Sequence, residues 1–225
     1  MESLSATSTA GVLLDLSGVL MLLLAFACLA SKLFNRYVAY YGAQSVVLSF
    51  AAATAAVAFG ILGLYGALLQ TLNHALAKSV LFLSSGDVSL RYKTREAGDV
   101  SGLLTAVPVT GGVLLLASFA VLGSPPFGLF LSELTIVRAG FAHGSPVFPL
   151  LLLALLGLAF VPFARTTTGM VTGNPPPLAS PYRDRAAVAV TAAPWILGLA
   201  VLLVLGLWIP AGLDTVLRHS IAAIG

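Results

Sequence analysis

The sequence predicts an all-α fold, a polytopic bundle of helices crossing a lipid bilayer. Composition, hydropathy and the length of the apolar runs carry that reading. Hydrophobic residues make up 59% of the 225 and charged residues only 8%, against roughly 25% charged in soluble domains. The mean hydropathy is +1.02. Several runs reach the roughly 20 apolar residues that a helix needs to cross the hydrocarbon core. So few charges cannot cover a surface that faces water, and in lipid the backbone must pair its own N–H and C=O groups. The alternating apolar and polar residues of a barrel strand appear nowhere.

The first span is expected over 11–31, ended by Lys32 and Arg36. No basic residue precedes this run and it is too long for a signal peptide, so it is expected to stay in the mature protein. A second span is expected over 38–59 and a third over 61–86, with Gly60 and Gly63 as the only break between them. A polar segment with Asp87, Arg91, Lys93, Arg95, Glu96 and Asp99 follows. The apolar stretch 107–142 is interrupted at Gly123-Ser124-Pro125-Pro126, and consecutive prolines cannot continue a helix. The stretch is therefore either two short spans or one helix broken at Pro125 and Pro126. A further span covers 147–164, a Thr/Gly/Pro-rich loop 165–187, and the last span 188–213. The count is about seven crossings, or six if 107–142 crosses once. A single crossing puts all three basic loops on one side, as the excess of Lys and Arg in cytoplasmic loops favours. Two crossings put the 165–187 loop opposite the others.

The net charge of +3 reads as membrane orientation, and without a basic, aromatic-laced patch no nucleic-acid partner is expected. Cys28 is the only cysteine, which excludes an internal disulfide or a cysteine-held cluster. The chain has no phosphate-binding loop, no H-E-x-x-H helix and no dinucleotide fingerprint. It is therefore expected to hold no metal and no redox cofactor.

Ionisable groups inside apolar segments cost about 2.5–3.5 kcal/mol each on insertion scales and mark function by default. Asp15, His74, Lys78, Glu133 and Arg138 are such groups. His74 and Lys78, four residues apart, share one helix face and suit a proton relay. Lys78 lies about 12 Å from the end of its span at helical rise, too deep to snorkel easily. Glu133 follows the Pro-Pro break, where broken helix ends leave room for water. Arg138, five residues on, is poorly placed to neutralise it. Asp15 and Arg138 are expected to reach the headgroups as anchors. Trp195 and Trp208 read as interface-belt residues.

The runs LLQTLNHALAKSVLFLSSGDV (68–88) and VPVTGGVLLLASFAVLGSPPFGLFLSELTIVRAGF (107–141) resemble the antiporter-like subunits of respiratory complex I, Mrp-type antiporters and membrane-bound hydrogenases. The form GSPPFGLFLSE is most similar to the F subunit of the formate-hydrogenlyase, or hydrogenase-four, group. The resemblance implies that His74, Lys78 and Glu133 form a proton path, and that 107–142 crosses twice. Residues 12–55, with SKLFNRYVAYYGAQSVVLS, resemble instead the small E subunit of the same group, with Gln44 near the place of its membrane glutamate. The implied organisation is a fusion, 1–59 and 60–225, with a seam near 55–60. The first half of the antiporter-like subunit, with its glutamate–lysine pair, is expected to be missing. The resemblance implies a multi-pass inner-membrane subunit, surrounded by lipid, translocating protons or sodium. Its partners would be other membrane and redox subunits of a hydrogenase or quinone-reductase complex. A stand-alone cation/proton antiporter and a truncated, rearranged chain without transport remain as alternatives.

Overall fold

The structure, a computed structural model, describes residues 36–177 and 185–224. The expected first span, with Asp15 and Cys28, lies outside the described residues. Within them the regular structure is entirely helical.

Helix α1 (Arg36–Ala58) and helix α2 (Gly60–Tyr92) are separated only by Phe59. Gly60 has φ +63°, a left-handed conformation that glycine adopts without a Cβ clash, and it turns the chain back on itself there. Gly63 then sits directly against the Ala55 carbonyl. Helix α2 runs past the expected end at Gly86. Asp87 accepts hydrogen bonds from Arg91 at 2.8 Å and from Thr110 at 2.6 Å, so the charges that were expected to end the span are paired on its last turns.

A 3-10 turn (Ala97–Asp99) and a short helix α3 (Leu103–Ala106) lead into α4 (Pro108–Val121) and α5 (Gly128–Ala142). Helices α4 and α5 lie end to end, antiparallel to α2. Thr110 meets Asp87, Gly128 meets Asn73, and Ile136 meets Gly66, so the chain tracks α2 from one end towards the other without reversing. Residues 107–142 therefore make one interrupted crossing, not the two that the resemblance implied. The far loops agree. Ser101 donates to the Asn174 carbonyl at 2.7 Å and the Gly102 N–H to the Thr172 carbonyl at 2.7 Å. The polar segment after α2 and the loop after α6 thus share one face of the bundle, as the count of basic residues favours.

Helix α6 (Val147–Val171) returns to that face. It outruns the expected 147–164, and Thr166 and Thr172 return their hydroxyls to backbone carbonyls one turn earlier. Leu150, Leu158 and Val161 on α6 are exposed, as lipid allows at no cost. Helix α7 (Arg185–Leu207) ends before the expected 213, at a Trp208–Pro210 interruption. Helix α8 (Ala211–Ile224) follows. The segments 147–171 and 190–207 are each long and apolar enough to cross a membrane.

The main core joins α2, α4, α5 and α7 through Leu81, Leu114, Leu129 and Leu202. Trp195 lies inside it, 6% exposed. That corrects its expected place at the interface: α7 turns this indole inward, and Trp208, 64% exposed, keeps the outward position. A second cluster joins α1, α5 and α6 through Ala55, Phe59, Ile136 and Leu152. At this end the Phe59 and His143 rings lie 5.9 Å apart.

Candidate functional site

The break between α4 and α5 is built by local backbone chemistry. The N–H of Gly123 bonds the Ala120 carbonyl at 3.1 Å and the N–H of Ser124 bonds the Phe119 carbonyl at 3.1 Å. These are the two bonds of a Schellman ending, and Gly123 supplies the left-handed residue it requires at φ +67°. Pro125 and Pro126 then prevent the helix from resuming, and α5 starts at Gly128. The first N–H groups of α5 have no partner inside the helix.

Polar side chains collect around this gap. Glu133, one turn into α5, is 7% exposed, and its carboxyl packs on the Cα of Gly123. Asn73 of α2 is fully buried and its amide packs on Gly128. A side chain at either glycine would occupy the space these groups use. Ser132 places its hydroxyl against the Gln70 Oε1 atom. Gln70, His74 and Lys78 fall at successive i,i+4 positions, so they form one stripe along α2.

Two grooves adjoin these residues. One, about 430 Å³, lies between α1 and α2 and is lined by Ala52, Ala53, Ala56, Gln70 and His74. The other, about 340 Å³, lies between α5 and α6 and is lined by Gly123, Glu133, Leu153 and Gly157. Six polar atoms of the site have no hydrogen-bond partner: Gln70 Nε2, both amide atoms of Asn73, both ring nitrogens of His74, and Glu133 Oε1. Leaving a buried donor or acceptor unpaired costs about 1–3 kcal/mol. Buried polar groups of this kind are commonly met by ordered water.

The expected residues His74, Lys78 and Glu133 thus fall on two packed helices, with Pro125 and Pro126 at the break between α4 and α5. Arg138 is exposed on α5, away from the buried Glu133. Gln70, Asn73 and Ser132 join the site without having been expected. They carry no charge, so the cost of inserting charge into lipid does not single them out. Their signal was the spacing 70, 74, 78 and the adjacent Asn73.

A second polar group sits at the opposite end of α2. Tyr65 donates to Asp214 of α8 at 2.8 Å, Arg218 pairs with Asp214 at 2.8 Å, and the Arg218 guanidinium lies 5.7 Å from the Tyr65 ring centre. Arg218, with the Tyr65 hydroxyl, holds the Asp214 carboxyl below its usual range.

An interrupted helix with a buried carboxyl, packed on a helix with a polar stripe, places the chain among polytopic membrane proteins built around a polar axis. The chain matches the NADH:quinone oxidoreductase/Mrp antiporter transmembrane family over residues 2–158, and it belongs to that family. The match runs through the expected seam at 55–60 and ends at residue 158. Among relatives, it is 32% identical over 131 residues to the hydrogenase-4 component F homolog of Methylacidiphilum infernorum (isolate V4), covering 56% of this chain and 28% of that protein. It is 30% identical over 172 residues to NADH-quinone oxidoreductase subunit N of Desulforudis audaxviator (strain MP104C), covering 72% of this chain and 34% of that protein. The chain spans about a third or less of the length of these relatives. In fold it is similar to a chain of the Mrp complex from Dietzia sp. DQ12-45-1b, with a TM-score of 0.62 and 22% identity over 83% of this chain and 40% of that one. The protein is a polytopic helical membrane protein.

Proposed function

We propose that the chain is a membrane subunit of a hydrogenase- or complex I-like assembly, and that it contributes to translocation of protons or sodium ions along an axis through Lys78, His74 and Glu133. One observation carries this reading: the buried polar side chains of Gln70, Asn73 and Glu133, with His74 one turn beyond Gln70, gathered at the break between α4 and α5. A fold gains nothing from leaving these groups unpaired, whereas a path for hydrated ions requires them. Lys78 is the cationic end of the stripe, four residues from His74. Glu133 sits where the break lets solvent reach a carboxyl. The partners on this reading are other membrane subunits and soluble redox subunits of the complex. The membrane is the cell inner membrane, with the face bearing residues 93–102 and 172–175 in the cytoplasm. The 1–59 segment belongs to a small-subunit ancestry and 60–225 to the later half of an antiporter-like subunit.

The test is ion translocation by the intact complex purified with this chain. Lys78→Ala and Glu133→Ala each reduce translocation to background while the complex still assembles on native gels. Unchanged translocation in both overturns the reading. A membrane protein without transport activity is the second reading. Recovery of the chain alone, with no partner subunits, favours it. Cation/proton antiport by the chain alone in liposomes favours the stand-alone antiporter.

A further inference from the structure

The 3-10 turn after α2 and the last turns of α6 face each other across a cleft of about 910 Å³. Glu96, Gly98 and Ser101 line one wall, and Val161, Arg165 and Gly169 line the other. We propose that this cleft seats the headgroup of a phospholipid carrying both a phosphate and a primary ammonium, as phosphatidylethanolamine does, with an acyl chain lying along α6.

Depth puts the cleft at the right level. The apolar part of α6, 147–164, is about 27 Å long at helical rise, close to the roughly 30 Å of the hydrocarbon core. Arg165 is the first charged residue after it, at the boundary where lipid phosphates lie. Val147, Leu151, Ala154, Leu158, Val161 and Arg165 recur every three or four residues, so they share one face of α6. All six are exposed. An apolar track therefore runs along the helix and ends in the cleft, which both Val161 and Arg165 line.

Charge identifies the headgroup. Glu96 and Arg165 are both exposed, and among the described residues they make no ion pair with each other. An arginine fork bonds a phosphate through two N–H groups, and a carboxylate accepts from a primary ammonium. A headgroup with a phosphate alone would meet Glu96 as a like charge. A quaternary ammonium cannot donate to Glu96 and favours aromatic faces, and no aromatic side chain lines the cleft among the described residues.

The walls are fixed without the lipid. The Glu96 N–H donates to Thr94 Oγ1 at 3.1 Å and the Asp99 N–H to the Glu96 carbonyl at 3.1 Å. The Gly102–Thr172 and Ser101–Asn174 bonds then hold this turn against the end of α6. A preformed cleft spares binding the cost of ordering it. The site does not depend on ion movement, so its test reads lipid contact alone.

The protein, with whatever subunits accompany it from native membranes, is placed in nanodiscs of mixed ethanolamine, choline and glycerol phospholipids. One of the three headgroup types at a time carries a photoreactive diazirine on its acyl chain, and labelled peptides are mapped by mass spectrometry. The ethanolamine probe is expected to label 151–161 about threefold more than the other two, the scale of one exposed ion pair. The exposed face of α7 at Val190 and Leu197 serves as the reference for bulk lipid and shows no preference. Glu96→Gln abolishes the preference over the glycerol probe, Glu96→Lys reverses it, and Arg165→Gln lowers labelling by all three. Both residues are exposed and lie on separate elements, so a fold defect in one variant leaves the other as the reading. Equal labelling by the three probes, labelling of 151–161 no stronger than that of α7, or a preference that survives Glu96→Gln overturns the proposal. So does a region 151–161 that no probe reaches, which would mean that protein covers the cleft.

Discussion

The molecule contains two proline-marked helix interruptions that touch each other yet differ in kind. The first separates α4 from α5 at Pro125 and Pro126, and the second separates α7 from α8 at Pro210. They meet because Gly206, near the end of α7, fits directly over the Pro126 carbonyl. Around the first lie Glu133, Asn73, Gln70 and Ser132, all buried, with several atoms unpaired. Beside the second, Trp208 is 64% exposed, and the polar groups that follow satisfy one another through Tyr65, Asp214 and Arg218. A proline stops a helix in both places. Only the first becomes a candidate site, because its neighbours are polar, enclosed and unsatisfied. Asp214, held charged by Arg218, has nothing left to exchange.

The strongest challenge to this contrast is Gly206→Leu. Its side chain has no room above Pro126, and overpacking of this kind costs about 1–3 kcal/mol. A clear loss of thermal stability in mild detergent is expected, and no loss would mean that the two breaks are not in contact. Gly123→Ala comes next. Holding a non-glycine residue in the left-handed region costs about 1–2 kcal/mol, and the methyl group also displaces the Glu133 carboxyl. Lower stability should therefore appear together with lower translocation by the assembled complex. If stability falls alone, the carboxyl has tolerated the shift.

Asn73→Leu sharpens the comparison in the other direction. It replaces an unpaired amide with an apolar group of similar shape, so stability should hold or rise by roughly 1 kcal/mol while translocation drops. A marked loss of stability would show that the amide is well satisfied and structural. Asp214→Asn is expected to do least. Translocation stays unchanged, and the melting curve moves within its error; a transport defect there would erase the distinction between the two breaks.

Much of the fold was legible in the sequence because lipid imposes a length on every apolar run. The boundaries that shifted did so where polar groups found local partners, as Asp87 did with Arg91 and Thr110, and as the threonines of α6 did with their own backbone. The number of crossings over 107–142 was a contest between two signals. The distribution of basic residues agreed with the single crossing, and the resemblance argued for two. The register of Thr110, Gly128 and Ile136 along α2 decides it. Of the site, the ionisable members were visible because charge in lipid is expensive. Gln70, Asn73 and Ser132 were not, because a neutral amide or hydroxyl becomes significant only when its surroundings fail to pair it. Trp195 was misplaced for a related reason: position along a helix says how deep a residue sits, but not which way it points.

The contacts at the two faces have a mechanical consequence for the interrupted helix. At one end, the Gly102–Thr172 and Ser101–Asn174 bonds tie the chain leading into α4 to the loop after α6. At the other, the Phe59–His143 contact ties the end of α5 to the α1–α2 corner. A rod pinned at both ends and jointed in the middle resists sliding along its axis and yields most readily by twisting at the joint. The joint is the Gly123–Phe127 segment, and Glu133 is mounted one turn beyond it with its carboxyl against Gly123, so any twist at the joint bears directly on that carboxyl.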